Sequence, residues 1–168
     1  LIMTIAIFKY LLKIHKWLSG LNPLSFISVM GLSSYLILII YFPLLQLLQN
    51  DENAGGANFT EFTNSQAFLF LIVLCPIIET FIFQCLVIKI AHDLFRIKYS
   101  ISIVISALIF GIIHDYSVAY QLHGFIMGLL LAYSFAIYEK KKYSSFLITA
   151  IIHAIRNSAT FIYILTYN

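Results

Sequence analysis

The feature that most constrains this chain is a series of long, nearly uncharged apolar stretches separated by short charged turns. The five stretches cover roughly residues 24–49, 66–91, 101–114, 118–138 and 145–167. Continuous apolar stretches of this kind predict transmembrane helices, whereas a membrane barrel shows alternating residues. Since 61% of the residues are hydrophobic and 10% are charged, a soluble domain of this length has too little interior to bury them. We therefore expect one all-α, polytopic membrane domain over residues 1–168, with about five transmembrane helices.

The first 18 residues differ from these stretches because Lys9, Lys13 and Lys16 interrupt the apolar residues. This pattern predicts an amphipathic helix that lies along the membrane interface. Gly20 and Pro23 then end it. No small-residue cleavage site follows, so we expect no cleavable signal peptide.

The charged turns predict the orientation of the chain in the membrane. If five spans alternate, the N-terminal lysines and the basic turns at 92–100 and 139–144 fall on one side, and the acidic loop at 50–65 falls on the other. The positive-inside rule then places the N-terminus in the cytoplasm. Because the basic residues cluster at the ends of spans, we expect membrane lipid as a partner and no nucleic acid.

Three ionisable residues lie within the apolar stretches at a depth where charges are rare and usually functional. Glu79 and His153 lie about 15 Å and 16 Å from the basic ends of their spans, at 1.5 Å per residue. His114 lies about 24 Å from the basic end of its span, so it joins them only if its helix is tilted or begins later. Each residue also has a structural interpretation, as a protonated acid, an interfacial histidine or a packed neutral histidine. Their joint occurrence favours a shared functional cavity.

The spacing of the neighbouring polar residues adds orientation. His153 and Asn157 are four residues apart and share a helix face, and Thr80 and Gln84 have the spacing for a hydrogen bond within one helix. His123 lies near the outer end of its span and is interpreted as structural.

Arg156 is expected to snorkel outward along its aliphatic stem. The two cysteines, Cys75 and Cys85, are about 15 Å apart on one helix and are interpreted as packing residues that cannot form a disulfide.

Three short segments carry a family resemblance. The segments PIIETFIFQ (76–84), FGIIH (110–114) and HAIRN (153–157) follow one another on successive apolar stretches. In this order they resemble the CPBP family, the CAAX proteases and bacteriocin-processing (Abi) proteins of membranes, over about residues 66–160. That family is viewed as glutamate-dependent intramembrane endopeptidases, and older descriptions suspected a metalloprotease. The resemblance implies a peptide or protein substrate and a multi-pass location in a bacterial inner membrane.

Carried over by position, the resemblance implies that Glu79, His114, His153 and Asn157 are the catalytic residues. Glu79 and His114 would activate a water molecule, while His153 and Asn157 would donate to the oxyanion. The supporting residues of the same motifs are Thr80, Phe83, Gln84 and Phe110. No cofactor is expected.

The chain departs from the family pattern at two positions. Thr80 stands where a second glutamate is usual, and Gln84 where an arginine is usual. This exchange removes two opposite charges together and leaves neither unpaired. We expect a hydrogen bond between the two side chains to replace the ion pair and Glu79 to keep its role.

Other interpretations of the same residues remain open. Zinc held by Glu79, His114 and His153 with a water in the fourth position is the alternative to a metal-free site. A non-catalytic scaffold or bacteriocin-immunity protein of the same family is the alternative to a protease. A proton-coupled carrier is disfavoured because the spans show no inverted repeat.

Overall fold

The computed structural model describes residues 2–48, 59 and 61–167, and every regular element among them is a helix. The six helices are α1 (Ile2–Gly20), α2 (Pro23–Leu48), α3 (Asn64–Leu94), α4 (Tyr99–Ile112), α5 (Val118–Tyr138) and α6 (Ser145–Tyr167). This architecture confirms the expected all-α membrane fold. Most of the predicted acidic loop, with Asp51 and Glu52, lies outside the described residues.

Four of these helices are long and apolar enough to cross a membrane. They are Pro23–Ile40 within α2, the whole of α3, the whole of α5, and Ser145–Thr166 within α6. The 14 residues of α4 extend only about 21 Å, compared with a hydrocarbon core of about 30 Å. The predicted third span is therefore a shorter apolar helix than the others. It ends at Ile112, two residues before the expected end at His114.

Helix α1 has the two-sided character that its lysines predict. Leu18 is buried, Ile14 packs against the same core cluster, and Nδ1 of His15 lies 2.9 Å from the Tyr133 hydroxyl on α5. At 100° per residue, Lys9, Lys13 and Lys16 lie on the opposite side of the helix. Apolar side chains such as Phe8 between these two faces are exposed. The placement of this helix at a membrane interface stays a prediction.

Local capping chemistry fixes where the central helices begin. Thr63 caps α3, because its hydroxyl accepts from the backbone N–H of Gln66 while the Gln66 side chain accepts from the backbone N–H of Thr63. This reciprocal pair is a capping box, and it starts α3 two residues before the expected Gln66. Ser117 caps α5 by accepting from the backbone N–H of Tyr120 at 3.1 Å. Arg96, with φ of 57°, makes the turn between α3 and α4.

Helix α3 is irregular, since three parts of it have π-helical hydrogen bonding: Leu69–Leu74, Thr80–Leu86 and Ile90–Leu94. In a π-helix each backbone bond spans five residues, and such segments often lie at functional sites. The second segment begins immediately after Glu79. No sequence pattern predicted this change of register.

Small residues bring α4 and α5 into backbone contact. A Cβ added at Gly111 would lie 2.8 Å from the Gln121 carbonyl oxygen, and one at Gly128 would lie 3.0 Å from the Cα of Ala107. Ala107 and Gly111 on α4 therefore face Gly124 and Gly128 on α5, each pair being four residues apart. Such small-residue pairs let membrane helices approach closely. This contact positions the end of α4, where His114 follows.

Candidate active site

Glu79 and His153 face each other across the contact between α3 and α6. Oε2 of Glu79 lies 3.6 Å from Nε2 of His153, the single ion-pair contact within 4.0 Å among the described residues. His153 is only 4% exposed, while Glu79 is partly exposed to a cavity. Cys75, one turn before Glu79 on α3, places its thiol beside the carboxyl group. A carboxyl group and an imidazole thus meet between α3 and α6, while their depth in a membrane stays a prediction.

His114 is held just past the end of α4 by its own backbone. Its Nδ1 lies 2.6 Å from the Phe110 carbonyl oxygen. Because a carbonyl only accepts, Nδ1 carries the proton, which leaves Nε2 of a neutral ring as an acceptor. The His114 ring also packs against Gly124, where an added Cβ would lie 3.2 Å from Cγ of the imidazole. The tautomer of this histidine is therefore set by the Phe110 carbonyl of α4, and its position is also limited by Gly124 of α5.

An aromatic ring stands between the two histidines. The Phe110 ring centroid lies 4.5 Å from that of His114 and 5.9 Å from that of His153. Phe83 on α3 meets Phe110 edge to face, with centroids 5.5 Å apart. The two phenylalanines thus form an aromatic pair, and the Phe110 ring of this pair contacts both histidine rings.

Asn157 lies one turn beyond His153 on α6. Its Nδ2 donates to the Leu71 carbonyl oxygen at 3.0 Å, within the first π-helical segment of α3. One of its two amide hydrogens is therefore used to join α6 to α3, and one remains. The structure assigns Asn157 a contact that its spacing from His153 did not predict.

One cavity of about 170 Å³ brings the four predicted catalytic residues together. Its lining residues are Phe59, Phe70, Leu71, Cys75, Glu79, His114, Tyr116, Tyr120, His153, Asn157 and Thr160. A water molecule needs about 10–15 Å³ of such volume and several polar partners. The cavity has both, and its other walls are mainly aromatic. It therefore offers a place where a water and an apolar chain can meet.

The supporting residues Thr80 and Gln84 differ from expectation. Both side chains are fully buried, and neither the Thr80 hydroxyl nor the Gln84 amide has a hydrogen-bond partner among the described residues. The expected hydrogen bond between them is absent because both lie in the π-helical segment Thr80–Leu86, whose wider turn removes the alignment of residues four apart.

Arg156 also differs from expectation, since it does not snorkel outward. Its Nη2 donates to Nε2 of His123 at 2.8 Å, and its side chain lines a second cavity beside the first. The sequence contained one signal for this inward direction. Arg156 lies three residues after His153, and residues three apart share a helix face.

Sequence reasoning missed two kinds of residue at this site. Tyr120 lines both cavities, and Gly124 packs against His114. The segments ALIFG (107–111) and GFIMG (124–128) were the available signal for the helix contact. Tyr120 had no signal of its own, because its position depends on how α5 meets α4.

No set of three or more His, Cys, Asp or Glu residues in the described part of the chain has an arrangement that could hold a metal ion. Glu79, His114 and His153 line the same cavity without forming such a set.

Comparison with known proteins yields one match. A family model described as Type II CAAX prenyl endopeptidase Rce1-like matches residues 62–159. Neither the curated proteins nor the solved structures give a significant match. The matched region begins just before α3 and ends within α6, so it contains every residue of the candidate active site named above except Phe59 and Thr160.

Proposed function

Because the chain belongs to the Type II CAAX prenyl endopeptidase Rce1-like family, we propose that it is an intramembrane endopeptidase that cuts its substrate with a water activated by Glu79 and His114. The family indicates a multi-pass membrane protease in general. The proposal that Glu79 and His114 activate a water depends chiefly on one observation: a carboxyl group and two imidazoles line one cavity among apolar helices.

The proposed first step is attack by water on the substrate carbonyl. Nε2 of His114 is available to accept a hydrogen bond from the water, because Nδ1 donates to Phe110. The Glu79 carboxylate takes the proton, and the resulting hydroxide adds to the carbonyl carbon. The carbonyl oxygen becomes an oxyanion and needs donors close by.

The donors and the second proton transfer come from α6 and α3. Nε2 of His153, which faces Glu79, and the amide hydrogen of Asn157 that Leu71 does not accept supply two N–H groups. When the tetrahedral intermediate collapses, the C–N bond breaks. The proton held by Glu79 then passes to the leaving amine, which restores the carboxylate.

Replacement of Glu79 by Gln tests this proposal with a matched control. Glu79→Gln keeps the size of the side chain but cannot take a proton, so we expect cleavage of a peptide library by the purified protein to fall by about 100- to 10,000-fold. Glu61→Gln makes the same chemical change at an exposed residue before α3, and we expect wild-type activity. Equal cleavage by wild type and Glu79→Gln would refute the mechanism.

The scaffold or bacteriocin-immunity alternative has its own supporting observation: Thr80 and Gln84 replace the usual charged pair, and their side chains have no hydrogen-bond partner among residues 2–48, 59 and 61–167. A scaffold should keep its cellular role in the Glu79→Gln variant and should cleave no peptide. Zinc dependence is tested in the same assay by adding a chelator and then restoring the metal. A loss that zinc restores would favour the metal alternative over the metal-free mechanism.

We further propose a bacterial inner-membrane location with the N-terminus and the basic turns in the cytoplasm. Single cysteines introduced at Glu61 and Lys140, in a chain whose Cys75 and Cys85 are replaced, test this orientation. A membrane-impermeant thiol reagent should label position 61 from outside intact cells and position 140 only after lysis. The reverse pattern would invert the topology.

A further inference from the structure

A regular α-helical turn, Cys75–Glu79, lies between the first two π-helical segments of α3. The backbone N–H of Cys75 still bonds to the carbonyl of Phe70, five residues earlier, while that of Thr80 bonds to the carbonyl of Pro76, four residues earlier. Pro76 has no N–H to continue the π-helical pattern, and proline is favoured in the first turn of an α-helix. The hydrogen bonding of α3 therefore becomes regular just before Glu79.

This turn aligns the thiol of Cys75 with the carboxyl group of Glu79. Residues four apart share a face where the helix has α-helical geometry. Both side chains line the cavity of about 170 Å³, and the thiol donates a hydrogen bond to the carboxyl group. Thr80 and Gln84 have the same spacing but lie in the second π-helical segment, where neither side chain has a hydrogen-bond partner among the described residues. The change of helix register thus brings one pair of side chains together and separates the other.

The carboxyl group of Glu79 is contacted from its own helix and from a neighbouring one. Its Oε2 lies 3.6 Å from Nε2 of His153 on α6, and the Cys75 thiol reaches it from within α3. With one contact alone, the carboxyl group could still turn about the torsions of its side chain. An ionised carboxylate has about four acceptor positions on its two oxygens, so a thiol and an imidazole leave room for a water. The two contacts together therefore restrict the carboxyl group without blocking it.

We propose that Cys75 is a positioning residue, whose thiol donates to Glu79 and holds the carboxylate where it can take a proton from water. This inference rests on the proposed peptidase function. A general base must lie within about 3 Å of the group whose proton it takes, or reach it through one water. The thiol itself forms and breaks no bond in this role. It acts on the reaction only through the position of Glu79.

Three replacements of Cys75 separate hydrogen bonding from packing, with the full chain in detergent and one peptide that wild type cleaves. Cys75→Ser keeps a donor, Cys75→Val keeps apolar volume without a donor, and Cys75→Ala has neither. We expect kcat to fall about fivefold to fiftyfold in Cys75→Ala and Cys75→Val, because a displaced base slows the chemical step, while KM stays within about twofold. Cys75→Ser should keep at least about one third of the wild-type kcat, since its hydroxyl still donates. Wild-type kcat in Cys75→Val, or equal losses in Cys75→Ser and Cys75→Ala, would overturn the proposal.

The second cysteine of α3 supplies the matched control. Cys85 packs against the apolar cluster of Ile88, Ala132 and Phe135 and does not line the cavity. Cys85→Ala and Cys85→Ser should therefore leave kcat unchanged. Thermal unfolding in detergent sets the assay temperature, at which every compared variant is folded. Equal losses of kcat at the two cysteines would indicate a general effect of packing in α3 and contradict a positioning role for Cys75.

An infrared measurement needs no cleavage, so it separates failure of this inference from failure of the peptidase proposal. In Cys85→Ser protein the one remaining thiol is that of Cys75, and an S–H stretching band falls to lower frequency when the thiol donates a hydrogen bond. Glu79→Ala removes the acceptor and should move this band to higher frequency, whereas Glu61→Ala should leave it in place. An unmoved band in Glu79→Ala would overturn the inference even for an active protease. A shifted band in a protein that cleaves no peptide would support the hydrogen bond and refute the peptidase proposal.

Discussion

The two helices that bring Glu79 and His114 to one cavity are held in opposite ways. Helix α4 meets α5 through backbone contact at Gly111 and Gly124, with no room for a side chain between them. Helix α3 meets α6 through polar contacts near the cavity and is π-helical in three segments. It also contains buried polar atoms that have no hydrogen-bond partner among the described residues. One wall of the site, formed by α4 and α5, is held by steric contact. The other wall, formed by α3 and α6, has irregular hydrogen bonding and encloses space for water.

This difference matters because the two walls perform different tasks. His114 needs one tautomer and one position: the Phe110 carbonyl of α4 sets the tautomer, and the close α4–α5 contact limits the position. Glu79, which accepts the proton in the proposed mechanism, needs space for a water molecule beside its carboxylate and contact with His153. A regular, fully packed α3 would leave less space beside it. The π-helical irregularity thus lies in the wall that holds Glu79, and each of the following changes tests the difference between the two walls.

The largest effect is expected at the closest backbone contact. Gly111→Ala would place a Cβ 2.8 Å from the Gln121 carbonyl oxygen and 2.9 Å from the backbone nitrogen of Phe125. Backbone atoms cannot move aside as a flexible side chain can, so we expect a destabilisation of about 1–3 kcal/mol. Gly20→Ala is the matched control because nothing lies within 4 Å of its added Cβ. Thermal unfolding in detergent measures both, and equal stability of the two variants would contradict the steric account of α4.

A second glycine tests the link between packing and activity. Gly124→Ala would place a Cβ 3.2 Å from Cγ of the His114 ring, so that the ring must shift by a few tenths of an ångström. Since displacement of a catalytic group by about 1 Å can cost up to 100-fold, we expect a loss of about threefold to tenfold in kcat/KM. The added Cβ would also lie 3.2 Å from the Cα of Gly111 on α4, so kcat/KM is compared at a temperature where thermal unfolding shows that both proteins are folded. Wild-type kinetics in this variant would show that the position of His114 is not critical.

The course of the helices could be predicted from the sequence because hydropathy alone defines them. Helix α5 occupies Val118–Tyr138, the predicted range, since Ser117 and the charged turn after Tyr138 bound it. The early end of α4 could not be predicted, because Ile112 and Ile113 are equally apolar and hydropathy does not change between them. Its end is set instead by the backbone turn from His114 N–H to the Gly111 carbonyl.

The site could be predicted in composition but not in contacts. The depth of Glu79 and His153 predicted that they meet, since a carboxylate and a histidine at one depth need a common polar environment. The π-helical segments were not predictable, because a register change depends on neighbouring helices and leaves no pattern in residue type. The inward direction of Arg156 and the bond of Asn157 to Leu71 likewise depend on how α6 meets its neighbours.

A hydrogen bond between α4 of one wall and α3 of the other gives a smaller expected effect. The Ser106 hydroxyl on α4 donates to the Phe83 carbonyl oxygen on α3 at 2.8 Å, within the second π-helical segment. Ser106→Ala removes this donor, so we expect a loss of about 0.5–1.5 kcal/mol in unfolding free energy. Ser28→Ala is the control, because that serine only bonds the Leu24 carbonyl in its own helix. Equal stability of the two variants would show that this bond does not hold the walls together.

The smallest effect is expected at Gln84. Its sign distinguishes the hydrogen-bonded Gln84 amide that the sequence predicts from the unsatisfied amide that the structure shows among the described residues. From sequence alone, loss of the Gln84 amide should cost about one hydrogen bond, 0.5–1.5 kcal/mol. In the structure the amide is fully buried and has no hydrogen-bond partner in the part of the chain that is described. Gln84→Met, which keeps the length of the side chain, should therefore leave stability unchanged or raise it. Thr149→Val is the companion change on α6, because the Thr149 hydroxyl is also buried and no described residue forms a hydrogen bond with it. If both variants unfold at or above the wild-type temperature, the polar atoms of this wall are unsatisfied and the irregular packing of α3 and α6 carries a cost in stability. If Gln84→Met loses more than about 1 kcal/mol, an ordered water satisfies the amide, and the wall beside Glu79 is hydrated rather than strained.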